Sequence, residues 1–169
     1  MSRSGVVHVL VDAHNVLHQD AHLRPLMNDP ERARSELERL LTGRNHLHLF
    51  YDGGPGGEVR TSHRQGLAVD YAGTGEADDR IVRWLTTNHS RRALVVTDDA
   101  ELRRRVRTLG AGVMDARGFL DGLRKERDPR EDRGPLSPGE VDEWMRIFGL
   151  DQESEGPNGP RGPRGTNGP

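Results

Sequence analysis

The sequence predicts an α/β protein: a mainly parallel sheet between two layers of helices. Two observations carry that expectation. Runs such as VVHVLV (6–11) and ALVVTD (93–98) are too short and too uniformly apolar for anything but strands buried on both faces. Segments with apolar residues at helical spacing alternate with these runs, which is the order that builds right-handed crossovers over a parallel sheet.

The elements follow in order. After the strand at 6–11 comes AHN, which reads as neither a tidy turn nor the start of a periodic helix. DPERARSELERLLTG then supplies Asp29 as N-cap, Pro30 at the first helical position, Ala33, Leu37, Leu40 and Leu41 along one face, and Gly43 as a stop. HLHLFYD (46–52) alternates and reads as a strand, which the GGPGG after it cannot continue. The helix expected next is absent, and GGPGGEVRTSHRQ reads as a loop leading to a short strand at 66–72. EADDRIVRWLTTN (76–88) has helical spacing, as does DAELRRRVRTLG with Gly110 just past its end. GVMDA (112–116) and RGFLDGLRK close a domain spanning 1–126.

Beyond it, 127–136 reads as a solvated linker and 137–150 as an amphipathic helix. Ser137, Pro138 and Glu140 make a capping box, and Val141, Trp144, Met145 and Phe148 form an apolar face for packing on the domain or for a protein or ribonucleoprotein partner. Within 151–169 the stretch GPNGPRGPRGTNGP carries Gly at every third position over too few triplets for a triple helix, which predicts a disordered tail.

Composition narrows the chemistry. Charged residues make up 31% and hydrophobic ones 32%, with mean hydropathy −0.81, so the core occupies only part of the 169 residues. A net charge of −2 argues against a globally basic nucleic-acid binder and leaves local arginine patches, since Lys125 is the only lysine. With no cysteine, any metal must take oxygen or imidazole ligands. No window approaches a membrane span and no signal peptide is evident, which predicts a cytoplasmic protein with no membrane partner.

The acids carry the functional signal. Asp12, Asp52, Asp98 and Asp115 each end a strand, and in a parallel sheet those ends share the edge where such sheets bind ligands. Asp78 and Asp79, in the first turn of their helix, face the same edge. Crowded carboxylates repel unless a cation neutralises them, and oxygen-only ligands select Mg²⁺ or Mn²⁺. Each acid has a plainer role open to it: Asp98 as cap of the next helix with Glu101, Asp52 as a turn residue, Asp79 as a solvated charge. Asp12 is the hardest to explain that way.

Arg60, His63 and Arg64 are candidate RNA contacts, with Arg91 and Arg92 as further phosphate-binding candidates. His14, His18 and His22 recur at intervals of four, yet HQDAH lacks apolar periodicity, which favours exposed loop histidines over zinc ligands.

At LVDAHNV, FYDGG, GEADDRIVRWL and VVTDDAELRRRV the chain resembles the NYN domain, in its YacP-like branch, within the PIN-like nuclease superfamily. The likeness spans roughly 5–125. It implies a PIN-like three-layer α/β/α sandwich and metal-dependent phosphodiester hydrolysis of RNA, and joined to the acidic edge it makes an endoribonuclease using Mg²⁺ or Mn²⁺ the leading reading. By position, Asp12, Asp78 and Asp98 match the family's acidic ligands, Asp52 and Asp99 would assist, and Asn15 would orient Asp12 or a metal-bound water. Thr97 fits the Ser/Thr that precedes the third acid. Ala13 and His14 replace the family's Gly and Tyr. The competing reading is a non-catalytic RNA-binding or adaptor module acting through the helix at 137–150.

Overall fold

In the computed structural model, residues 6–126 are described, apart from Ser90. They belong to the first of two units into which the chain divides, Met1–Pro135 and Leu136–Pro169. The expected linker, amphipathic helix with Val141, Trp144, Met145 and Phe148, and tail lie outside the described residues.

Six strands form one sheet: β1 (Val7–Asp12), β2 (Leu47–Tyr51), β3 (Val59–Arg64), β4 (Leu67–Ala72), β5 (Arg92–Val96) and β6 (Gly112–Met114). Their spatial order is β3-β4-β2-β1-β5-β6, parallel throughout except for the antiparallel β3–β4 pair. Among the described residues five α-helices accompany them: α1 (Ala13–Gln19), α2 (Pro30–Leu41), α3 (Ala77–Thr87), α4 (Ala100–Thr108) and α5 (Ala116–Glu126). Among the described residues no helix is long and apolar enough to cross a membrane.

Alternation along the strands divides the core. In β1 and β2 the residues Leu10 and Phe50 pack with Ala77, Ile81 and Leu85 of α3 and Leu102 and Val106 of α4. The other face carries Val11, Leu49 and Tyr51, whose hydroxyl donates to the Arg34 carbonyl of α2 at 3.5 Å. α2 begins where the sequence places it, with Asp29 accepting from the Arg32 amide, and buries Ala33, Leu37 and Leu41.

Two segments differ from expectation. The residues read as a loop before the third strand form β3, an edge strand of a hairpin, in place of the missing helix. Its side chains are almost all exposed, so hydrophobic periodicity could not reveal it. The AHN segment opens α1 directly from the last residue of β1. Asp12 holds the N-cap position but its side chain makes no cap hydrogen bond, and the usual start signal is therefore missing.

Candidate active site

The register of β1 and β2 sets the site. His8, Leu10 and Asp12 share one face of β1, and His48, Phe50 and Asp52 continue the same pattern along β2, with Leu10 opposite His48 and Asp12 opposite Phe50. Both carboxylates thus leave the sheet at its C-terminal edge, on the α3 side.

Asp12 is 4% exposed. Its Oδ2 accepts from the Asn15 amide and from the Thr97 hydroxyl at 3.3 Å. Burial raises its pKa, as does the charge of Asp52, while the Asn15 and Thr97 hydrogen bonds pull the other way. Thr97 is fully buried, and its hydroxyl oxygen also accepts from the Asp99 amide at 3.1 Å. One hydroxyl therefore links the ends of β1 and β5.

Asp52 is fixed across the chain: its Oδ1 accepts from the Ala77 amide at 2.7 Å, capping α3. Gly54 lets this turn lie against the sheet, since at φ +149° an added Cβ would come within 2.7 Å of the Tyr71 Cβ. An Arg80–Asp70 pair at 2.7 Å ties the first turns of α3 to β4. Asp78 is held on that turn, half-buried. Its pKa is pushed up to about 6, first by burial and then by the negative charge of Asp12, Asp99, Asp52 and Glu76.

Four of the expected acids, Asp12, Asp52, Asp78 and Asp99, therefore share one electrostatic neighbourhood, with Asn15 and Thr97 bracing the first. Glu76 joins them, and sequence reasoning passed over it because it reads only as the residue before a helix. Asp98 is turned aside: its Oδ1 accepts from the Ala116 amide at 3.0 Å, capping α5, and lies 3.8 Å from Arg103. The cap of α4, the plainer role open to Asp98, falls to Asp99, which accepts from the Leu102 amide at 2.7 Å. Asp79 points outward to Arg105 at 3.0 Å, and Asp115 accepts from the Gly118 amide at 2.5 Å.

The basic candidates separate. In the β3–β4 register Arg60 lies opposite Tyr71, at the acidic edge, whereas His63 and Arg64 lie opposite Ala68 and Leu67 toward the other end. Arg64 is 4.0 Å from Glu38 of α2. Arg91 and Arg92 stand at the start of β5, at the opposite edge from the acids, and Arg91 reaches His8 at 3.2 Å. The parallel register explains this correction, because residues that precede a strand cannot share an edge with those that follow one.

Comparison with protein families matches residues 9–137 to the YacP-like NYN domain. The chain belongs to that family. It is a family of nuclease type whose members generally use a divalent metal. Two crystal structures of Rae1 (YacP) from Bacillus subtilis resemble this NYN domain. One matches with TM-score 0.60 at 20% identity over 85% of this chain and 84% of that one. The other, of a mutant in which a tryptophan is replaced by leucine, has TM-score 0.58 at 20% identity over 85% and 92%. At that identity the likeness establishes the fold. No curated protein matches the chain.

The side chains gathered here offer oxygen donors only, which is the chemistry a hard divalent cation takes, and burial followed by the neighbouring charges has pushed Asp78 up to about 6. Among the described residues no three acids or imidazoles close round a single point.

Proposed function

We propose that this NYN domain is a metal-dependent endoribonuclease whose centre is built on Asp12 and Asp78, with Asp52 and Asp99 beside them and Asp98 on the flank. The observation that carries this reading is the convergence of carboxylates on the C-terminal edge of the sheet, with buried Asp12 ending β1, Asp52 following β2 and bonded to the first amide of α3, and Asp78 on that helix turn; burial and then the charges of Asp12, Asp99 and Asp52 raise the Asp78 pKa, as crowded carboxylates awaiting a cation do.

Each side chain has a part to take. Asp12, Asp52, Asp78 and Asp99 would hold Mg²⁺ or Mn²⁺, and Asp98 would contribute through the oxygen not engaged with Ala116. The bound cation would supply an activated water and charge stabilisation at the phosphate. Asn15 and Thr97 fix the Asp12 carboxylate through Oδ2, so its orientation is set before substrate arrives. Asp52 and Asp99 are oriented by the helix amides they cap. Arg60, at the acidic edge of the hairpin, would bind a phosphate of the strand entering the site, and His63 and Arg64 would follow the strand farther along β3.

The test is cleavage of a labelled single-stranded RNA and its DNA counterpart by the full chain with Mn²⁺, with Mg²⁺ or with EDTA, beside Asp12→Asn. The expected result is metal-dependent cutting of RNA that EDTA and the substitution both abolish. RNA binding that persists in EDTA, without cutting under any condition, would replace this reading with that of a non-catalytic RNA-binding module.

A further inference from the structure

The exposed face of α1 carries a second cluster that the acidic centre does not use. His14 and His18 stand one turn apart, both exposed, with Nε2 of each 3.1 Å from Nε2 of the other and ring planes at 73°. The opposite face of the helix buries Ala13, Val16 and Leu17 and packs on α5, so the spacing of the two side chains is set by an anchored backbone.

We propose that His14 and His18 form a two-imidazole site for a borderline transition-metal ion of the Zn²⁺, Ni²⁺ or Cu²⁺ class. The geometry matches the bite of such an ion. With metal–nitrogen bonds of ~2.0–2.1 Å, two ligands on one zinc lie ~3.3–3.4 Å apart at a tetrahedral angle and ~2.9 Å apart at a right angle. The observed 3.1 Å, spanned by an Nε2–H···Nε2 hydrogen bond, falls between these values, and once the donor ring carries its proton on Nδ1 small rotations of the two exposed rings turn both Nε2 lone pairs onto one point. His18 sits in the last turn of α1, where the helix dipole favours positive charge. Among the described residues no third protein ligand joins the pair, so water fills the remaining positions and the ion exchanges freely. Imidazole pairs and carboxylate clusters prefer different ions, which makes this site chemically separate from the acidic one two residues away.

Zinc chloride titrated calorimetrically into the full chain, in phosphate-free buffer with excess Mg²⁺, tests the proposal. One equivalent should bind to the wild type and to Asp12→Asn, and bind about tenfold or more weakly to His14→Ala and to His18→Ala, each of which loses the second arm of the chelate. His22→Ala, the next histidine in the series, should bind as the wild type does. Imidazole ¹⁵N spectra of the wild type give a reading that needs no variant: Zn²⁺ should shift Nε2 of His14 and His18 together. Undiminished binding in either alanine variant, no binding by the wild type, or shifts confined to His8, His46 and His48 would overturn it.

Discussion

Asp12 combines burial with charge at a strand end, and its cost is visible in its surroundings. Its pKa is raised by burial and by Asp52, which means that the ionised form is disfavoured in the folded chain. Asp12→Asn should therefore melt above the wild type in EDTA, while losing any Mn²⁺-induced rise in melting temperature; scanning fluorimetry with and without metal reads both. Thr97 holds this arrangement from within the core, meeting Asp12, Asn15 and the Asp99 amide with one hydroxyl. Thr97→Val keeps the shape and strands the Asp99 amide, so denaturant unfolding should show a loss of about 1–3 kcal/mol. Asp12 was legible because nothing else explained an acid after VVHVLV. The division of labour between Asp98 and Asp99 was not, because adjacent acids after a strand offer the same residue type to two different helix ends.

At the scale of elements, α3 bridges two poles of one sheet face. Its first turn brings Asp78 to the acids, and Trp84 packs near His8 and His48, with ring centroids 5.2 and 5.1 Å away. Arg91 can only donate, so Nε2 of His8 accepts, and its Nδ1–H donates to Nε2 of His48 at 3.2 Å. Burial, followed by the neighbouring His8, lowers the His48 pKa to about 4 from an ordinary 6.5. As pH falls through about 6.5 the unfolded chain takes up a proton that the folded chain refuses until about 4, so stability drops across that window. His48→Gln keeps the acceptor without the titration, and its melting temperature should fall less steeply over the same range.

Asp52 gives the element scale a second test. Asp52→Ala removes the cap on the Ala77 amide and should cost about 1 kcal/mol, whereas Asp52→Asn should keep most of that stability and still lose metal affinity. The parallel strands and α2 to α5 were readable from apolar spacing and caps. β3 and α1 were not: the first is exposed on nearly every residue, and the second starts from an aspartate whose side chain faces the site instead of capping the helix.

Across the whole described unit, three parallel strands deliver Asp12, Asp52 and Asp99 to one edge and the first turn of α3 adds Asp78; Asn15 and Thr97 hold Asp12 there, and the helix amides they cap hold Asp52 and Asp99. The sequence carried the order of these motifs, LVDAHNV, FYDGG, GEADD and VVTDD, within the 9–137 that match the YacP-like NYN domain. It did not carry the side-chain directions, which depend on which helix amide each carboxylate meets. Asp78 and Asp79 make the sharpest comparison, since they are neighbours in sequence with opposite surroundings: one among the acids, the other 3.0 Å from Arg105 and exposed. The decisive measurement is the Mn²⁺-dependent rate of RNA cleavage by Asp78→Asn and Asp79→Asn beside the wild type. Asp78→Asn should lose about a hundredfold or more, and Asp79→Asn should stay within a fewfold of the wild type. Equal losses in both, or cleavage by Asp78→Asn at the wild-type rate, would contradict an acidic centre built on Asp12 and Asp78.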